Sequence, residues 1–255
     1  QRYGLSGLME FSLSELVAVA AIYVLAGSVK GAIGLGLPTV SMALLGIWLP
    51  VEQAAAILIL SAFLTNVWQS LAGGALRTLL ARLWPTLICL VLGTLLTAGI
   101  MTAGNNALNG AFLGAILAIY AGLVLAGYRF TVSRKAEPVL GPAAGFTTGL
   151  ISGATGIFVV PVAPYLEAMN LGKDQLVQAI GMTALIATSA LALGLGLNGS
   201  LEAEVVVPGS IAVVAAFAGI FLGQVLRARL SVELFRRWVL IGLMLLGTAM
   251  IIRAI

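Results

Sequence analysis

The stretch Lys30-Gly-Ala-Ile-Gly-Leu-Gly-Leu-Pro38 interrupts an otherwise apolar first half of the chain. Three glycines and a proline make a poor helix interior, because glycine costs about 1 kcal/mol and proline about 3 kcal/mol relative to alanine. A second interruption, Ser152-Gly-Ala-Thr-Gly-Ile157, repeats the spacing of polar residue, glycine and glycine at an offset of 122 residues. Interrupted apolar segments at matching positions in two halves of a chain are typical of a binding site inside a membrane protein.

The composition of the whole chain excludes a water-soluble fold. The 255 residues are 61% hydrophobic and only 9% charged, whereas soluble domains carry roughly 25% charged residues. Residues 83–128 contain no charge at all, which leaves room for two membrane helices of about 20 residues each. Abundant glycine and few aromatic residues favour packed helices over an outer-membrane barrel with aromatic girdles. The composition therefore predicts a polytopic, all-α integral membrane protein.

The apolar segments predict two repeats within one transmembrane domain, each built from a broken two-piece helical hairpin and three full transmembrane helices. Ser12-Leu-Ser-Glu15 has the spacing of a capping box and opens the first helix, which we expect to run to about Val29. In repeat one (1–130) the predicted elements are a hairpin at 13–49 and full spans at 52–71, 84–102 and 107–128. After a cytoplasmic linker (131–138), repeat two (139–255) contains a hairpin at 141–169 and full spans at 175–197, 205–226 and 235–254.

The basic residues predict that the two repeats have inverted topology. They cluster in three connections, at Arg77 and Arg82, at Arg129, Arg134 and Lys135, and at Arg227, Arg229, Arg236 and Arg237. The counterparts of the first and third connections, 198–204 and 102–106, contain no basic residue. Basic loops favour the cytoplasm, so each repeat must cross the membrane an odd number of times. This predicts a multi-pass protein of the cell (inner, cytoplasmic) membrane with both termini outside; Arg253 is the one charge that does not fit.

The glycine-rich motifs resemble those of a known family. Gly145-x-x-x-Gly149-x-x-Ser152-Gly153-x-x-Gly156, then Pro161 and Ala179-x-Gly181-x-Thr183, is similar to the repeat signature of the TauE/SafE family of sulfite exporters. Gly27-x-x-x-Gly31-x-x-Gly34-x-Gly36 in the first half resembles the same pattern. The chain departs from it at Ile157-Phe158, where further glycines are common. The resemblance implies secondary transport of a small sulfur-containing anion such as sulfite, thiosulfate or a short organosulfonate.

Lys30 is the strongest candidate for a substrate-binding residue. A charged side chain at the centre of a membrane helix costs about 2.5–3.5 kcal/mol on insertion scales. The nearest acids along the chain, Glu15 and Glu52, lie at the far end of its helix and at the start of the next full span. A bound anion would then supply the missing counterion. The alternative is that Lys30 reaches an interface along its apolar stem or pairs with a distant acid.

The two glycine-rich breaks are predicted to bind the anion through backbone N–H groups. Short helices are expected to begin near Pro38-Thr39 and near Gly156-Ile157, and helix N-termini attract anions. The predicted substrate-binding set is Lys30, Gly31, Gly34, Gly36, Pro38, Thr39, Ser152, Gly153, Thr155, Gly156 and Ile157. Under the alternative reading, these glycines only allow helices to cross closely.

Polar residues within the helices form a second set of candidates, which would line a pathway: Ser41, Thr65, Asn66, Gln69, Gln178, Thr183 and Thr188. Hydrogen bonding between helices, worth about 0.6 kcal/mol on average, is the alternative for these residues. Gly110, Gly114, Ala118 and Gly122 recur every four residues and predict a helix-packing face.

The sequence offers no signal for catalysis. With no histidine and one cysteine, the usual metal and nucleophile sites lack ligands. Gly194-x-Gly196-x-x-Gly199 ends an apolar segment and opens no βαβ unit. We therefore predict a transporter without cofactor, metal or nucleic-acid partner, whose partners are a small anion, the lipid bilayer and a coupling proton or cation. Alternating access is the leading mechanism, a channel for anions or small solutes on the same scaffold is the alternative, and the oligomeric state is open.

Overall fold

The protein is a bundle of membrane helices. A computed structural model describes residues 11–102, 106–127, 131–199, 203–227 and 232–254, and in this part of the chain it contains ten α-helices and no β-strand. The helices are α1 (Leu13–Ile33), α2 (Leu37–Leu45), α3 (Val51–Leu71), α4 (Leu76–Met101), α5 (Asn106–Leu125), α6 (Glu137–Thr155), α7 (Val162–Ala168), α8 (Lys173–Leu197), α9 (Val206–Arg227) and α10 (Val232–Ala254). Among these described helices, seven are long and apolar enough to cross a membrane: α1, α3, α4, α5, α8, α9 and α10. The predicted all-α membrane class is confirmed.

Each half of the chain, α1–α5 and α6–α10, begins with a long helix that is followed by a short one folding back. α1 starts at the predicted capping box, in which the Ser12 hydroxyl accepts from the Glu15 N–H and the Glu15 carboxylate accepts from the Ser12 N–H. Gly34 ends α1 with φ of 89°, and Gly36, with φ of 113°, opens α2. α6 likewise ends at Gly156 with φ of 72°. These three positions use the left-handed region that glycine adopts without steric cost.

The first break begins later than the sequence predicts. α1 continues through Lys30 to Ile33, so only Gly34, Leu35 and Gly36 separate it from α2. Lysine is a good helix former, and Gly31 continues the helix with its Cα against the backbone of α9. The second break is longer than predicted, since α7 begins at Val162 rather than near Gly156-Ile157.

Several predicted helix starts are also wrong. α4 begins at Leu76 and not at 84, so Arg77 and Arg82 lie inside the helix. Arginine favours helices and extends its charged group away from an apolar surface, so a charge does not mark a helix end. α6 begins at Glu137, inside the predicted linker (131–138) and before 141, because Pro138 suits the first turn of a helix. α5 ends at Leu125, and the predicted end of that span at 128 lies outside the described residues.

Two helix pairs cross with their backbones in contact. A Cβ atom added to Gly27 would lie 2.3 Å from the Ala216 carbonyl oxygen, and one added to Gly31 would lie 2.2 Å from that of Ile220, so α1 packs on α9. A Cβ on Gly145 or Gly149 of α6 would likewise lie 2.1 or 2.2 Å from a carbonyl oxygen of α4. The contacts advance in the same direction along both helices of each pair, which makes these pairs parallel.

Two other pairs join the halves in antiparallel fashion. Along α3 and α8, Gly73 lies against Gln178, and Gly181 lies against Gln69. In α5 and α10, Gly114 faces Gly247 and Met250, while Gly247 also approaches Ala118. The predicted packing face on α5 is therefore partly wrong: Gly114 and Ala118 contact α10, whereas a Cβ on Gly110 or Gly122 would meet no described atom within 4 Å.

Basic connections gather at one end of the bundle. Arg82 of α4 donates from Nε to Glu137 of α6 at 2.8 Å, and Arg236 of α10 pairs with Glu167 of α7 at 3.6 Å. The N–H of Val132 donates to the carbonyl of Ala168 at 2.9 Å. The starts of α4, α6 and α10 and the end of α7 therefore lie at this end. Two of the predicted loop charges, Arg129 and Arg229, lie outside the described residues.

Candidate functional site

Both breaks line one cavity. From the first half it is lined by Lys30, Gly34, Leu35, Gly36, Pro38, Asn66 and Gln69, and from the second half by Phe158, Val159, Val162, Ala163, Ile180, Thr183 and Ala184. The cavity thus lies between the halves, where the corresponding interruptions approach each other.

Lys30 brings a buried positive charge into this cavity. It lies in the last turn of α1 with only 6% of its surface exposed. Its ammonium donates to the Thr65 hydroxyl at 3.1 Å and to the Asn66 side-chain oxygen, both on α3. Both of these partners are neutral, and no described carboxylate pairs with Lys30. The buried location argues against the alternative in which Lys30 reaches the interface.

Asn66 adds a free donor beside this charge. Its side chain is 2% exposed, and its oxygen is already engaged by Lys30. Its nitrogen Nδ2 has no hydrogen-bond partner among the described residues. Leaving a buried donor unsatisfied costs about 1–3 kcal/mol. A ligand that accepts a hydrogen bond from Nδ2 would remove this cost.

The two breaks differ in the backbone groups that are available to bind an anion. Gly36 and Pro38, at the start of the nine-residue α2, line the cavity, so the positive end of the helix dipole borders the ligand space. In the second break, the Ile157 N–H donates to the Thr155 hydroxyl at 3.2 Å, and the Val162 N–H donates to the Thr148 hydroxyl at 2.9 Å. Those two N–H groups are occupied, so the two breaks are not equivalent.

Several predicted binding residues lie away from the cavity lining. Gly31 and Gly153 lie at the α1–α9 and α4–α6 crossings, and Gly156 lies against Met42 of α2. Ile157 is buried in the main hydrophobic core. Three predicted hydroxyl residues are also buried outside the lining: Thr39, Ser152 and Thr155. Thr155 donates to the Ile151 carbonyl, whereas Thr39 Oγ1 and Ser152 Oγ have no partner among the described residues.

The second set of candidates divides into cavity residues and helix contacts. Gln69 lines the cavity and donates from Nε2 to the carbonyls of Gly34 at 3.0 Å and Val177 at 2.9 Å. Gln178 lies outside the lining and joins α8 to the end of α3 through the Ser70 and Gly73 carbonyls. The remaining hydroxyls donate to backbone carbonyls of their own helices: Ser41, Thr65, Thr183 and Thr188.

The apolar half of the lining was missed in the sequence. Phe158 and Val159 come from the second break, Val162 and Ala163 from the start of α7, and Ile180 and Ala184 from α8. One signal was present, since Ile157-Phe158 replaces glycines that are common in the resembling family. Phe158 and Val159 are the residues by which the second break lines the cavity.

Comparison with known proteins identifies the family. Residues 19–250 match the family model described as "Sulfite exporter TauE/SafE". The chain belongs to the TauE/SafE family. This confirms the resemblance noted in the sequence, and members of the TauE/SafE family are transporters rather than enzymes. The TauE/SafE chain described here is accordingly a multi-pass membrane transport protein. Comparisons with curated proteins and with solved structures gave no further match.

Proposed function

We propose that this TauE/SafE protein is a secondary transporter that carries a small sulfur-containing anion across the cytoplasmic membrane and binds it at Lys30. The observation that carries the proposal is the buried ammonium group of Lys30, which lines the cavity and has no carboxylate partner among the described residues. Two neutral acceptors, on Thr65 and Asn66, replace part of its hydration. A bound oxyanion would supply the opposite charge.

The neighbouring groups favour an anion that accepts several hydrogen bonds. Asn66 Nδ2 is a free donor, and the start of α2 adds the positive end of a helix dipole. Such a helix terminus contributes about 0.3–1 kcal/mol toward an anion, and up to about 2 kcal/mol when it is partly buried. A sulfite, thiosulfate or sulfonate group presents oxygens in several directions and can accept from both.

Alternating access is supported by the directions of the helices. Helices at corresponding positions in the two halves, α3 with α8 and α5 with α10, run antiparallel, as inverted repeats require. The basic connections at one end of the bundle favour a cytoplasmic location for that end. In this proposal one half moves against the other around the cavity, driven by a coupling proton or cation.

Uptake into proteoliposomes tests the role of Lys30. We expect Lys30→Met to abolish uptake of labelled sulfite or methanesulfonate, because the variant has no charge to balance the anion. Lys173→Met is the matched control, since Lys173 is exposed at the start of α8, and it should transport at the wild-type rate. Unchanged rate and affinity in Lys30→Met would refute the proposal.

Uptake measurements in the same proteoliposomes distinguish a secondary transporter from a channel. With a proton or cation gradient imposed across the vesicle membrane, a secondary transporter accumulates the anion above the external concentration. Equilibration without accumulation under every imposed gradient would identify a channel instead.

A further inference from the structure

We infer that Lys30 carries the coupling proton: its amine takes up a proton when the anion binds and returns that proton to water when the anion leaves. This role rests on the proposed function, because it concerns the same residue and the same cavity. It makes the coupling ion a proton, and it assigns the binding of the anion and of the proton to one side chain.

Lys30 is the one titratable residue among the described residues that line the cavity. The polar side chains that share the lining are those of Asn66, Gln69 and Thr183, and the rest of the lining is glycine and apolar residues. Amide and hydroxyl side chains of this kind do not gain or lose a proton near neutral pH. A proton that binds within this lining therefore binds at Lys30.

The titratable groups on the surrounding helices lie outside the lining. α2 contains none. On the other helices that line the cavity or pack against α1, the described ones are Glu15 and Tyr23 of α1, Glu52 of α3, Tyr165 and Glu167 of α7, Lys173 and Asp174 of α8, Arg227 of α9, and Glu233, Arg236, Arg237 and Arg253 of α10. Apart from Tyr23, which is fully buried in the middle of α1, they lie in the short α7 or within two turns of a helix end. In the described part of the lining, no acid holds the proton on Lys30 when the anion is absent.

The hydrogen bonds of Lys30 suit a neutral amine as well as an ammonium. The Thr65 hydroxyl donates its own hydrogen to the Ser61 carbonyl at 2.8 Å, so toward Lys30 it acts as an acceptor, as does the Asn66 side-chain oxygen. A neutral amine has two N–H groups, which match these two acceptors. The third N–H of the ammonium has no acceptor among the described residues. Loss of one proton therefore leaves both hydrogen bonds in place.

Burial makes the protonation of Lys30 depend on the anion. Lys30 is only 6% exposed, and a buried charge without an opposite charge is strongly unfavourable. The empty cavity therefore favours the neutral amine, whereas a bound anion favours the ammonium. By thermodynamic linkage, the proton and the anion raise each other's affinity by the same factor. One N–H bond forms as the anion binds, and the same bond breaks when the anion is released.

Joint binding of this kind couples transport of the anion to the proton. The loaded cavity holds an ammonium and an anion, and the empty cavity holds a neutral amine, so neither form carries an unpaired buried charge while the two halves move. An empty cavity with a charged Lys30 would carry one. The proton and the anion therefore cross the membrane together, and a pH gradient drives accumulation of the anion.

Calorimetry in buffers with different ionisation enthalpies counts the protons that bind with the anion to purified wild-type protein. The probe is methanesulfonate, the anion of a strong acid, which brings no proton of its own. Between about pH 6 and about pH 9, where an ordinary lysine stays charged, we expect proton uptake to rise toward about one proton per anion. At the alkaline end of this range, the affinity should fall roughly tenfold for each pH unit.

Lys30→Arg separates the positive charge from the transfer of the proton. Arginine keeps the charge but is not deprotonated in proteins. In proteoliposomes whose membrane potential is held at zero by a potassium ionophore, we expect this variant to exchange internal for external methanesulfonate, because its loaded form keeps the charge pair. It should lose the accumulation that an acidic external buffer drives in the wild type, because its empty form cannot release a proton.

Two control variants should accumulate methanesulfonate as the wild type does. Lys173→Arg makes the same replacement at an exposed position at the start of α8. Tyr23→Phe removes the buried phenol hydroxyl on the same helix as Lys30. Accumulation at the wild-type level in Lys30→Arg would overturn the inference, because the proton would then be carried by another group. If Lys30→Arg does not bind the anion, the proton count on the wild-type protein decides.

The outcomes separate this inference from the proposed function. Lys30-dependent binding of methanesulfonate without proton uptake, and with the same affinity across the pH range, would overturn the inference and leave the proposed function standing. If neither methanesulfonate nor sulfite binds in a Lys30-dependent manner, both are overturned.

Discussion

Lys30 and Asn66 satisfy only part of each other's hydrogen-bonding capacity. The ammonium donates to the amide oxygen, while the amide nitrogen has no partner among the described residues. Each residue would be costly in an apolar helix bundle by itself. In the proposed function, a bound anion accepts from the free Asn66 Nδ2 and balances the charge of Lys30.

A carboxylate introduced beside Lys30 should weaken binding of the anionic substrate, because it supplies the negative charge from within the protein. Asn66→Asp places a carboxylate beside the Lys30 ammonium, so the internal ion pair competes with the bound anion. Because a hydrogen bond to a charged group is worth about 1.5–3 kcal/mol, we expect anion affinity to fall roughly tenfold or more, as measured by calorimetry. Asn170→Asp, at an exposed position, should bind normally. Wild-type affinity in Asn66→Asp would show that the pair does not bind the anion.

At the scale of helices, glycines set the distances between α1 and α9 and between α4 and α6. The added Cβ atoms would meet backbone oxygens, which cannot move aside as a flexible side chain can. Two predicted binding residues, Gly31 and Gly153, belong to these crossings. For Gly31 and Gly153, the structure therefore favours the alternative in which these glycines allow two helices to cross closely.

Substitution at a crossing should therefore separate the helices. In Gly149→Ala the new Cβ would lie 2.2 Å from the Leu90 carbonyl oxygen, and overpacking of this kind typically costs about 1–3 kcal/mol. We expect a lower thermal unfolding midpoint in detergent. Gly122→Ala is the matched control, because a Cβ there meets no described atom within 4 Å, and it should be neutral or slightly stabilising. Equal midpoints for the two variants would contradict the close-packed crossing.

The two helix breaks were predictable from the sequence, but the residues of each break that line the cavity were not. Helix-breaking glycines are local, so the two interruptions were predictable. Lys30, which lies just before the first interruption, lines the cavity. The bond from the Val162 N–H to the Thr148 hydroxyl joins residues on different sides of a break, and nothing local indicates it. For the same reason the sequence did not reveal that Ser152 lies outside the cavity lining while Phe158 lies within it. Local sequence patterns predicted where the helices are interrupted. Tertiary contacts determine which residues of each break line the cavity.

At the scale of the whole molecule, the structure combines a symmetric plan of helix pairs with an unsymmetric cavity. Exchanging the halves turns the α1–α9 pair into α6–α4, and both pairs cross at glycines. The cavity has no such equivalence, because its charge comes from α1 and much of its apolar wall comes from the second break and α7.

The orientation of the bundle in the membrane can be tested with single cysteines. α8 has 25 residues, or about 37 Å at about 1.5 Å per residue, so Asn198 lies at the opposite end from the basic connections that include Lys135. In a Cys89→Ala background, we expect a membrane-impermeant maleimide to label Asn198→Cys in intact spheroplasts and to label Lys135→Cys only after permeabilisation. Both positions are exposed, so both should react in permeabilised membranes, which controls for reactivity. Labelling of Lys135→Cys alone in intact cells would reverse the orientation and place the basic connections outside, against the charge rule from which the topology was predicted.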